Sequence, residues 1–533
     1  MALVFSSWSA DLAVVLVTCL TALYLYFTRS FSYWRKRGCP CMPPTVLVGS
    51  TGRAILQLET VDECLKRVYD GKPDQPVVGL YAKQRPFLMV RSLDVVRSVM
   101  VKDAAYFLDR SMGSSSDKNA DLASRTLFML KGKKWRHMRV KLTPTFTSGK
   151  IKKMFYLINE CGKELLNCID HEMSRDKSVN VKETVARYST DVIASCAFGV
   201  NANSLADPDS EFQVTMRKVF DFMNASRIVK IIAELAPWLL QLLPSMPRSD
   251  AVGSFVRKTF WNVVEHRKKH GVIRKDFVDI LMQIKNEGRV RVDDAKEQEE
   301  IKEDSRYMDT DTPKTGKTDI KLVDDDFVAQ AFIFIIAGFE TSSSVVSFAL
   351  YELAMSPGIQ DRMRREIQDV LQKHDSEVTY EAIAEMTYLD MVMMETIRKY
   401  PTVPQLERKC LQDYKIPGTE IVVEKGTSVM IPVLGIHRDK DICPEPERFD
   451  PERFTPENKS KRHHFAHLPF GEGPRICIGM RFGQMQVKTA LVHILTTYQV
   501  RRCAQTPVPP KKTPSGVSVV ALKDIALAFH KIT

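Results

Sequence analysis

The chain has 533 residues, of which 44% are hydrophobic and 27% charged, so its composition supports a large folded core. Its net charge of +12 favours an anionic membrane or an acidic partner, or else an evenly basic surface. Arg-rich helices, zinc-finger spacing and RNA-binding aromatic motifs are lacking, which argues against a nucleic-acid partner. The 11 cysteines are odd in number and scattered, which excludes a disulfide framework and favours a reducing compartment.

An uncharged apolar stretch, Leu12 to Thr28, lies close to the N-terminus. As a helix it would be about 26 Å long, slightly less than the ~30 Å hydrocarbon core of a bilayer. Basic residues follow it between 29 and 37, and the positive-inside rule then places the rest of the chain in the cytoplasm. A cleaved signal peptide would need a positive segment before the apolar run, and none is present. We therefore expect residues 1–37 to form a single-pass membrane anchor with a basic stop.

The pattern after the anchor predicts a small sheet followed by helices. Short apolar runs between Pro76 and Val99 are typical of strands, and from Lys131 to Glu287 apolar residues recur at helical spacing. Within this region the apolar patch Ala236 to Pro244 is compatible with core, with a membrane-dipping loop or with a channel lid. The polar segment 287–326 predicts a mobile surface loop or a frayed helix end.

Long helices are predicted again beyond this segment, at Phe327–Met355 and Gly358–His374. From Pro401 onward, short strands and Pro-rich loops are expected. The tail alternates around Lys523 and Asp524, which predicts a hairpin. The pattern as a whole indicates one mainly helical body with small sheets, covering residues 38–533, and not a βαβ array.

The segment FGEGPRICIG surrounds Cys477 with glycines, a proline and an arginine. A cysteine thiolate is an electron-rich metal ligand, and glycines permit a tight turn and a close backbone approach to a flat cofactor. Phe470 is expected to pack on the sulfur side, and Arg475 to reach an acidic group at the cofactor edge. An isolated cysteine is otherwise a small hydrophobe, or a nucleophile with a histidine base, but neither needs glycines and an aromatic residue at fixed offsets.

The spacing of Phe470, Gly473, Arg475, Cys477 and Gly479 resembles the haem-binding signature F-x-x-G-x-R-x-C-x-G of the cytochrome P450 family of haem-thiolate monooxygenases. The resemblance covers nearly the whole chain, and LTPTFTSGK and IPVLGIHRD are most similar to insect microsomal members that metabolise xenobiotics. It implies the cytochrome P450 fold, mainly α with small β-sheets behind an N-terminal transmembrane anchor helix. It also implies haem b (heme b), with Cys477 as the axial iron ligand.

The same resemblance implies which residues hold the haem. In the family, the helix that contains WRHMR contacts the haem propionates, and YPTVPQLER resembles the strand leading to another propionate-binding arginine, here Arg408. Charge-assisted hydrogen bonds from basic side chains would satisfy these two carboxylates. The implied cofactor-binding residues are Cys477, Trp135, Arg139, Arg408, Arg475, Phe470, Gly479 and Ala337.

The polar segment AGFETS lies in an apolar helix, which in the family runs over the distal haem face. On the residues alone, Thr341 could simply donate to the carbonyl four positions earlier. The resemblance instead implies that small Ala337 and Gly338 leave room for dioxygen, and that Thr341 and Glu340 are catalytic residues that help deliver protons. A local loosening of the helix is expected there.

A further motif, ETIR, places Glu395 and Arg398 three residues apart on one helix face, where they can form an ion pair. A lone E-x-x-R is a weak signal, because chance matches are common in helices. Downstream lies FDPERF, and the resemblance makes Arg453 the third member of a buried triad. This triad would support the haem-binding core and would not be catalytic.

The resemblance implies a monooxygenase that inserts one atom of O2 into a lipophilic small molecule, either a xenobiotic or an endogenous lipid or hormone. Electrons would come from NADPH through the flavoprotein NADPH-cytochrome reductase at the endoplasmic reticulum membrane, with cytochrome b5 as a second donor. Basic side chains near the cysteine loop would meet an acidic reductase face, or are simply solvated. They are Lys133, Lys134, Arg136, Lys459 and Arg481.

Two other functions stay open on the same scaffold. One is an isomerase or dehydratase that rearranges a peroxide without a reductase, against which the presence of Thr341 argues. The other is a haem-binding protein without catalytic activity. The candidate pocket residues are Phe107, Phe128, Ala337, Thr341, Val403 and Val517.

Overall fold

The computed structural model describes most of the chain. The described residues are 8–112, 121–224, 228–229, 231–232, 249–305, 320, 322–510, 512–513, 521–522 and 525–532. The apolar patch 236–244, the candidate pocket residue Val517 and the predicted turn at Lys523 and Asp524 lie outside these residues.

Helices dominate the described chain, as the sequence predicts. The first ten are α1 (Trp8–Thr28), α2 (Tyr33–Lys36), α3 (Gly52–Ile55), α4 (Val61–Asp70), α5 (Leu93–Arg97), α6 (Gly132–Leu142), α7 (Ser148–Arg175), α8 (Val181–Ile193), α9 (Glu211–Asn224) and α10 (Ser249–His270). The others are α11 (Phe277–Glu287), α12 (Ala295–Ser305), α13 (Asp324–Met355), α14 (Pro357–Lys373), α15 (Tyr380–Glu385), α16 (Thr387–Lys399), α17 (Val433–His437), α18 (Pro456–Lys461) and α19 (Met480–Thr497).

The strands are short and form small sheets. They are β1 (Val77–Ala82), β2 (Arg85–Val90), β3 (Val179–Asn180), β4 (Leu406–Lys409), β5 (Tyr414–Lys415), β6 (Val422–Val423), β7 (Ser428–Ile431), β8 (Tyr498–Arg502), β9 (Lys512–Thr513), β10 (Ala521–Leu522) and β11 (Ala526–Lys531). The largest sheet has the order β1-β2-β7-β4, in which β2 and β7 are parallel and the other pairs antiparallel. The strands predicted after Pro76 are therefore confirmed as a hairpin.

Helix α13 crosses the larger of two hydrophobic clusters and packs on α8 and α19. Its start is fixed by the Asp326 carboxylate, which accepts a hydrogen bond from the backbone N–H of Val323 at 2.8 Å. Most buried polar side chains along α13 have partners, as burial requires. Gln330, for example, accepts from the N–H of Leu127 at 2.9 Å and donates to the carbonyl of Arg125 at 3.0 Å.

Two described helices are long and apolar enough to span a membrane, and they differ in burial. In α1 none of the apolar window is buried, whereas in α13 72% of it lies inside the protein. Both helices meet the criteria of length and hydropathy for a membrane span. Of the two, only α1 has an apolar surface that the rest of the protein leaves uncovered. Helix α1 is therefore the candidate anchor, and α13 is a core helix.

The chain leaving α1 is attached directly to the largest sheet. Trp34 is fully buried, its indole N–H donates to the carbonyl of Leu80 at 3.0 Å, and the Tyr81 hydroxyl donates to the carbonyl of Phe31 at 3.0 Å. A Cβ at Gly79 would lie 2.4 Å from the Trp34 ring, so the strand can approach the indole only without a side chain there.

The segment 287–326, predicted as a mobile loop or frayed helix end, contains the helix α12 over Ala295–Ser305. These residues are helical where the sequence favoured a loop, and their carboxylates have partners that the sequence does not reveal. Glu297, only 4% exposed, accepts a hydrogen bond from the Thr147 hydroxyl at 2.5 Å. The charged residues of α12 therefore include side chains that pack against the protein, and the segment is not simply a solvated loop.

The predicted tail hairpin is also wrong for the strands that the structure describes. Strand β10 pairs with β9, and β11 pairs with β8 and β3, so β10 and β11 are not partners. Alternation located β11 correctly, since Leu527 and Phe529 face the core. Alternation cannot identify the partner of a strand, however, because pairing depends on distant parts of the chain.

Candidate functional site

The loop around Cys477 is held by backbone geometry that requires glycine. Gly473 has φ +70°, and a Cβ there would lie 1.8 Å from the carbonyl oxygen of Met100. Gly471 has φ +75°, and the N–H of Cys477 donates to the carbonyl of Phe470 at 2.9 Å. Gly479, in contrast, has no such requirement within the protein, since a Cβ would make only an ordinary contact of 3.7 Å with Phe146.

The Cys477 thiol lies deep in the protein but has an accessible surface. Its side chain is exposed, yet burial raises the pKa of the thiol, which a side chain facing bulk water would not show. Both observations hold if Cys477 faces an internal cavity, and we therefore describe it as cavity-facing. The N–H of Gly479 and the guanidinium groups of Arg139 and Arg110 act in the opposite direction and lower the pKa.

Four arginines gather near this thiol: Arg110, Arg139, Arg408 and Arg475. Burial lowers the pKa of Arg139 and of Arg408 to about 10 each, and that of Arg475 to about 9. Burial also lowers the pKa of Arg110 well below its ordinary value, and repulsion from the other three adds to the effect. Because a guanidinium stays charged under ordinary conditions, these shifts reflect the cost of burying four cations, to which repulsion between them adds at Arg110 and Arg475. We call these four side chains the guanidinium cluster.

The described residues provide little negative charge to the guanidinium cluster. Arg475 donates to Asp109 at 3.2 Å and to the carbonyls of Leu108 and Leu130 at 2.9 Å each, and it stacks on Trp135 at 3.9 Å. Most donors of Arg475 are thus already used within the protein.

The other cluster members make fewer contacts. In the described structure their hydrogen bonds go to backbone carbonyls: Arg110 to Phe128 at 3.0 Å, Arg139 to Ile476 at 2.9 Å and Arg408 to Glu407 at 2.8 Å. Nε of Arg139 is buried without a partner. A negatively charged group is the missing complement of this arrangement.

Arg110 is a member that the sequence interpretation missed. It follows Asp109 in a stretch without a recognisable motif, and long-range contacts such as the bridge between Asp109 and Lys409 of β4 bring this stretch beside the others. The available signal was weak: Arg110 lies close to the candidate pocket residue Phe107 in sequence.

Helix α13 has an accessible surface in its middle, although its neighbours along the chain are buried. Ala337 is exposed and Thr341 partly exposed, while Phe334, Ile335, Phe339 and Ser342 are buried. The Thr341 hydroxyl donates to the carbonyl of Ala337 at 2.5 Å. Helix α13, described along its whole length, is continuous, so the expected loosening near Thr341 is wrong.

Gly338 contributes to packing as well as to space. A Cβ there would lie 2.3 Å from Cδ1 of Ile193, at the C-terminal end of α8. Its small size therefore lets α8 approach α13 closely, a role that the sequence interpretation did not consider.

Glu340 is held away from solvent by a lysine on α8. Its carboxylate accepts from Nζ of Lys182 at 2.7 Å and from the Ser344 hydroxyl at 3.2 Å, and it is 6% exposed. Lys182 also donates to the hydroxyl of Ser343 at 3.1 Å. Glu340 is therefore a member of a buried polar network between α8 and α13.

Among the candidate pocket residues, Phe107 is buried with its ring 4.9 Å from that of Tyr414, which is typical of core packing. Phe128 is 37% exposed and lies under the guanidinium of Arg110 at 4.0 Å. Val403 is partly exposed just before β4.

The predicted triad is confirmed. Glu395 accepts from Arg398 at 2.6 and 2.8 Å, and Nε of Arg453 lies 3.5 Å from the same carboxylate. Arg398 also donates to the carbonyls of His437 and Pro446, at 3.0 and 2.8 Å. The Arg398 guanidinium thus has both a carboxylate and carbonyl oxygens as partners within the protein.

Comparison with known proteins identifies the family. The family model for cytochrome P450 matches residues 43–527. The chain belongs to the cytochrome P450 family. It is 39% identical to cytochrome P450 6j1 of Blattella germanica over 99% of both chains. It is 40% identical to cytochrome P450 6k1 of the same species, over 98% of this chain and 97% of that protein, and 40% identical to probable cytochrome P450 6a14 of Drosophila melanogaster, over 91% and 92%.

Members of the cytochrome P450 family are monooxygenases that use haem with a cysteine thiolate as the iron ligand, together with oxygen, a redox partner and lipophilic substrates. The residues of this chain fit haem. A cavity-facing cysteine is available as an iron ligand, and the under-neutralised guanidinium cluster beside it fits the two carboxylates that haem carries.

Proposed function

We propose that this cytochrome P450 is a membrane-anchored monooxygenase in which Cys477 binds the haem iron, and that it oxidises lipophilic small molecules with electrons from NADPH. The observation that carries the proposal is the cavity-facing Cys477 beside the guanidinium cluster. When bound, haem supplies the oxygen chemistry: a substrate C–H bond, O2, two electrons and two protons give an alcohol and water.

The loop prepares the sulfur for its role as a ligand. A thiolate needs positive potential and hydrogen-bond donors, since burial alone favours the neutral thiol. The Gly479 N–H and the charges of Arg139 and Arg110 supply both, and they lower the pKa that burial raises. Phe470 accepts the Cys477 N–H through its carbonyl and so fixes the loop.

The guanidinium cluster provides the anion site for the haem carboxylates. Arg139 and Arg408 have free capacity, because each makes a single side-chain hydrogen bond to a backbone carbonyl in the described structure. Arg475 stacks on Trp135 and is held by Asp109, so its role is to orient Trp135 and to add positive potential. Arg110 joins the site as a fourth cation.

The middle of α13 would line the part of the site in which dioxygen binds. Ala337 is small and exposed, which leaves room next to the helix, and Thr341 presents its hydroxyl on the same face. Thr341 now donates to the Ala337 carbonyl, so its oxygen remains available as an acceptor for a bound water. Glu340 would move protons from the Lys182 network toward Thr341.

The apolar surfaces and the charge of the protein support its substrate class, its membrane attachment and its electron donor. Phe128, Val403, Ala337 and Thr341 would contact an apolar ligand. Helix α1 would anchor the protein in the endoplasmic reticulum membrane, with the catalytic domain in the cytoplasm. The donor would be NADPH-cytochrome reductase, with cytochrome b5 as a second donor.

The decisive experiment is carbon monoxide binding to the reduced, purified full-length protein. We expect the red-shifted absorption of CO opposite a thiolate, and Cys477→His should abolish it. The matched control is Cys161→Ala, because burial also raises the pKa of Cys161 (to about 12) but that residue lies on α7, outside the loop. Retention of the red-shifted band in Cys477→His would exclude this cysteine as the ligand.

Turnover tests the reaction itself. Membranes that contain this protein and the reductase should oxidise members of a mixed lipophilic library only when NADPH is present. Thr341→Ala should release peroxide at the expense of product. Product formation without NADPH would contradict the proposal and favour an isomerase or dehydratase.

A further inference from the structure

Helix α12 docks on the protein through carboxylates and not through an apolar stripe. Its inward side carries Glu297, Glu300 and Asp304, with Ile301 as the one partly buried apolar side chain between them. Surface helices normally bury an apolar face. Packing of α12 therefore depends on charge, which makes its position sensitive to competing charges and to salt.

The carboxylates of α12 cover the N-terminal end of α7. The Glu300 side chain accepts the backbone N–H of Ser148 at 2.8 Å, and Glu297 accepts from Thr147 and lies 3.7 Å from Nζ of Lys150. Negative side chains at a helix N-terminus are favourable because the free N–H groups there carry partial positive charge. This end of α12 is well anchored, since Glu297 is buried.

The other end of α12 is tied to α19 by an ion pair next to the cysteine loop. Asp304 accepts from Arg481 at 2.8 Å, and the two side chains are 26% and 27% exposed. Arg481 is the second residue of α19, which begins directly after the loop that contains Cys477. A partly exposed ion pair contributes little to stability, so this end can be displaced at small cost.

The cations of α6 and α19 differ in their partners. Arg481 is neutralised from within the chain, whereas Lys133 and Lys134 on α6 are exposed and form no ion pair in the described part of the structure. Helix α6 reaches the cysteine loop through Arg139, which donates to the carbonyl of Ile476. An acidic partner that approaches the loop would thus find available lysines and one arginine already occupied by Asp304.

We propose that the C-terminal end of α12 occupies part of the docking surface for an acidic electron donor, and that the donor must compete with Asp304 for Arg481. This inference rests on the proposed function, in which a flavoprotein reductase supplies the electrons. Asp304 then acts as a built-in competitor that weakens donor binding, most strongly at low ionic strength.

The test is a binding titration of full-length holoenzyme with the flavoprotein NADPH-cytochrome reductase, at low and at high salt. Asp304→Asn should tighten the dissociation constant about two- to five-fold at low salt, the range expected for one partly exposed ion pair. The difference should vanish near 1 M salt, where the Debye length is about 3 Å. The matched control is Glu299→Gln, which removes the same charge from the outward side of α12 and should change the constant less than about 1.5-fold.

A double-mutant cycle separates competition for Arg481 from a general charge effect. Arg481→Gln should weaken binding, and Asp304→Asn should have no further effect in that background. An equal gain from Asp304→Asn with and without Arg481, or no gain in the wild-type background, overturns the inference while the proposed function stands. Failure of the reductase to bind any variant, despite a normal CO spectrum, overturns both.

Discussion

Two groups of buried charge in this cytochrome P450 are balanced in different ways. Around Glu395 two arginines pair with a buried carboxylate: burial lowers the pKa of Arg398, but the carboxylate more than compensates and the pKa ends above its ordinary value. In the guanidinium cluster Asp109 is the carboxylate in contact, and it pairs with Arg475. Burial therefore leaves the pKa of Arg408 lowered to about 10.

The difference separates structural charge from charge kept for a ligand. A buried charge without a protein partner costs several kcal/mol, so a fold retains it only if something else stabilises it. Where the protein supplies the counter-charge, the group holds the fold together. Where it does not, the counter-charge belongs to a bound molecule, and here the carboxylates of haem fit. Substitutions in the two groups should therefore have different effects: those around Glu395 should lower stability, and those in the guanidinium cluster should lower haem retention.

The largest effect is expected in the balanced group. Glu395→Gln would leave Arg398 buried without a negative partner, and we expect the free energy of unfolding to fall by about 3–5 kcal/mol. Urea unfolding of the detergent-solubilised protein measures it. Glu457→Gln is the control, since its pair with Lys461 is exposed and contributes at most ~1 kcal/mol. Equal effects of the two substitutions would refute the assignment of the Glu395 group as structural.

A smaller effect of another kind is expected in the guanidinium cluster. Arg408→Ala removes an under-neutralised cation, so the haem-free protein should unfold at the same or a higher urea concentration than wild type. Haem retention should decrease about 10- to 100-fold, because a hydrogen bond to a charged group contributes about 1.5–3 kcal/mol. Transfer of haem to an excess of a strong haem-binding protein measures retention.

Arg408→Lys is the conservative companion to this substitution. It keeps the charge, so it should recover part of the retention without restoring bidentate contacts. If Arg408→Ala lowered the stability of the haem-free protein as strongly as Glu395→Gln, the distinction between the two groups would be wrong.

The sequence predicted local features of both groups better than their partners. The E-x-x-R pair, the cysteine loop and the long helix α13 are each encoded within a few turns or a short motif. Partners from distant segments could not be predicted. They are Lys182 for Glu340, Arg110 for the guanidinium cluster, and Thr147 and Arg481 for the carboxylates of α12. A charged side chain looks the same in sequence whether it faces water or a partner, so the charge of α12 was interpreted as solvent exposure.

Near neutral pH, the smallest expected effect concerns His437, a neutral neighbour of the balanced group. Its Nε2 accepts the N–H of Leu468 at 2.9 Å, so the neutral ring carries its proton on Nδ1. Burial first, and then repulsion by Arg398, lower the pKa of His437 to about 3. In the unfolded chain the ring has its ordinary pKa near 6.5 and binds a proton below that pH.

Because the pKa of His437 differs between the folded and unfolded states, the protein should lose stability over a defined pH range. Above pH 6.5 both states are neutral, and between pH 6.5 and about 3 only the unfolded state is protonated. The free energy of unfolding should therefore decrease by about 1.4 kcal/mol for each pH unit below 6.5. His437→Gln should remove this contribution from the slope of stability against pH, whereas the exposed His171→Gln should shift it little. An unchanged slope in His437→Gln would mean that the buried ring can take up a proton, and that Arg398 is less fully paired than its contacts indicate.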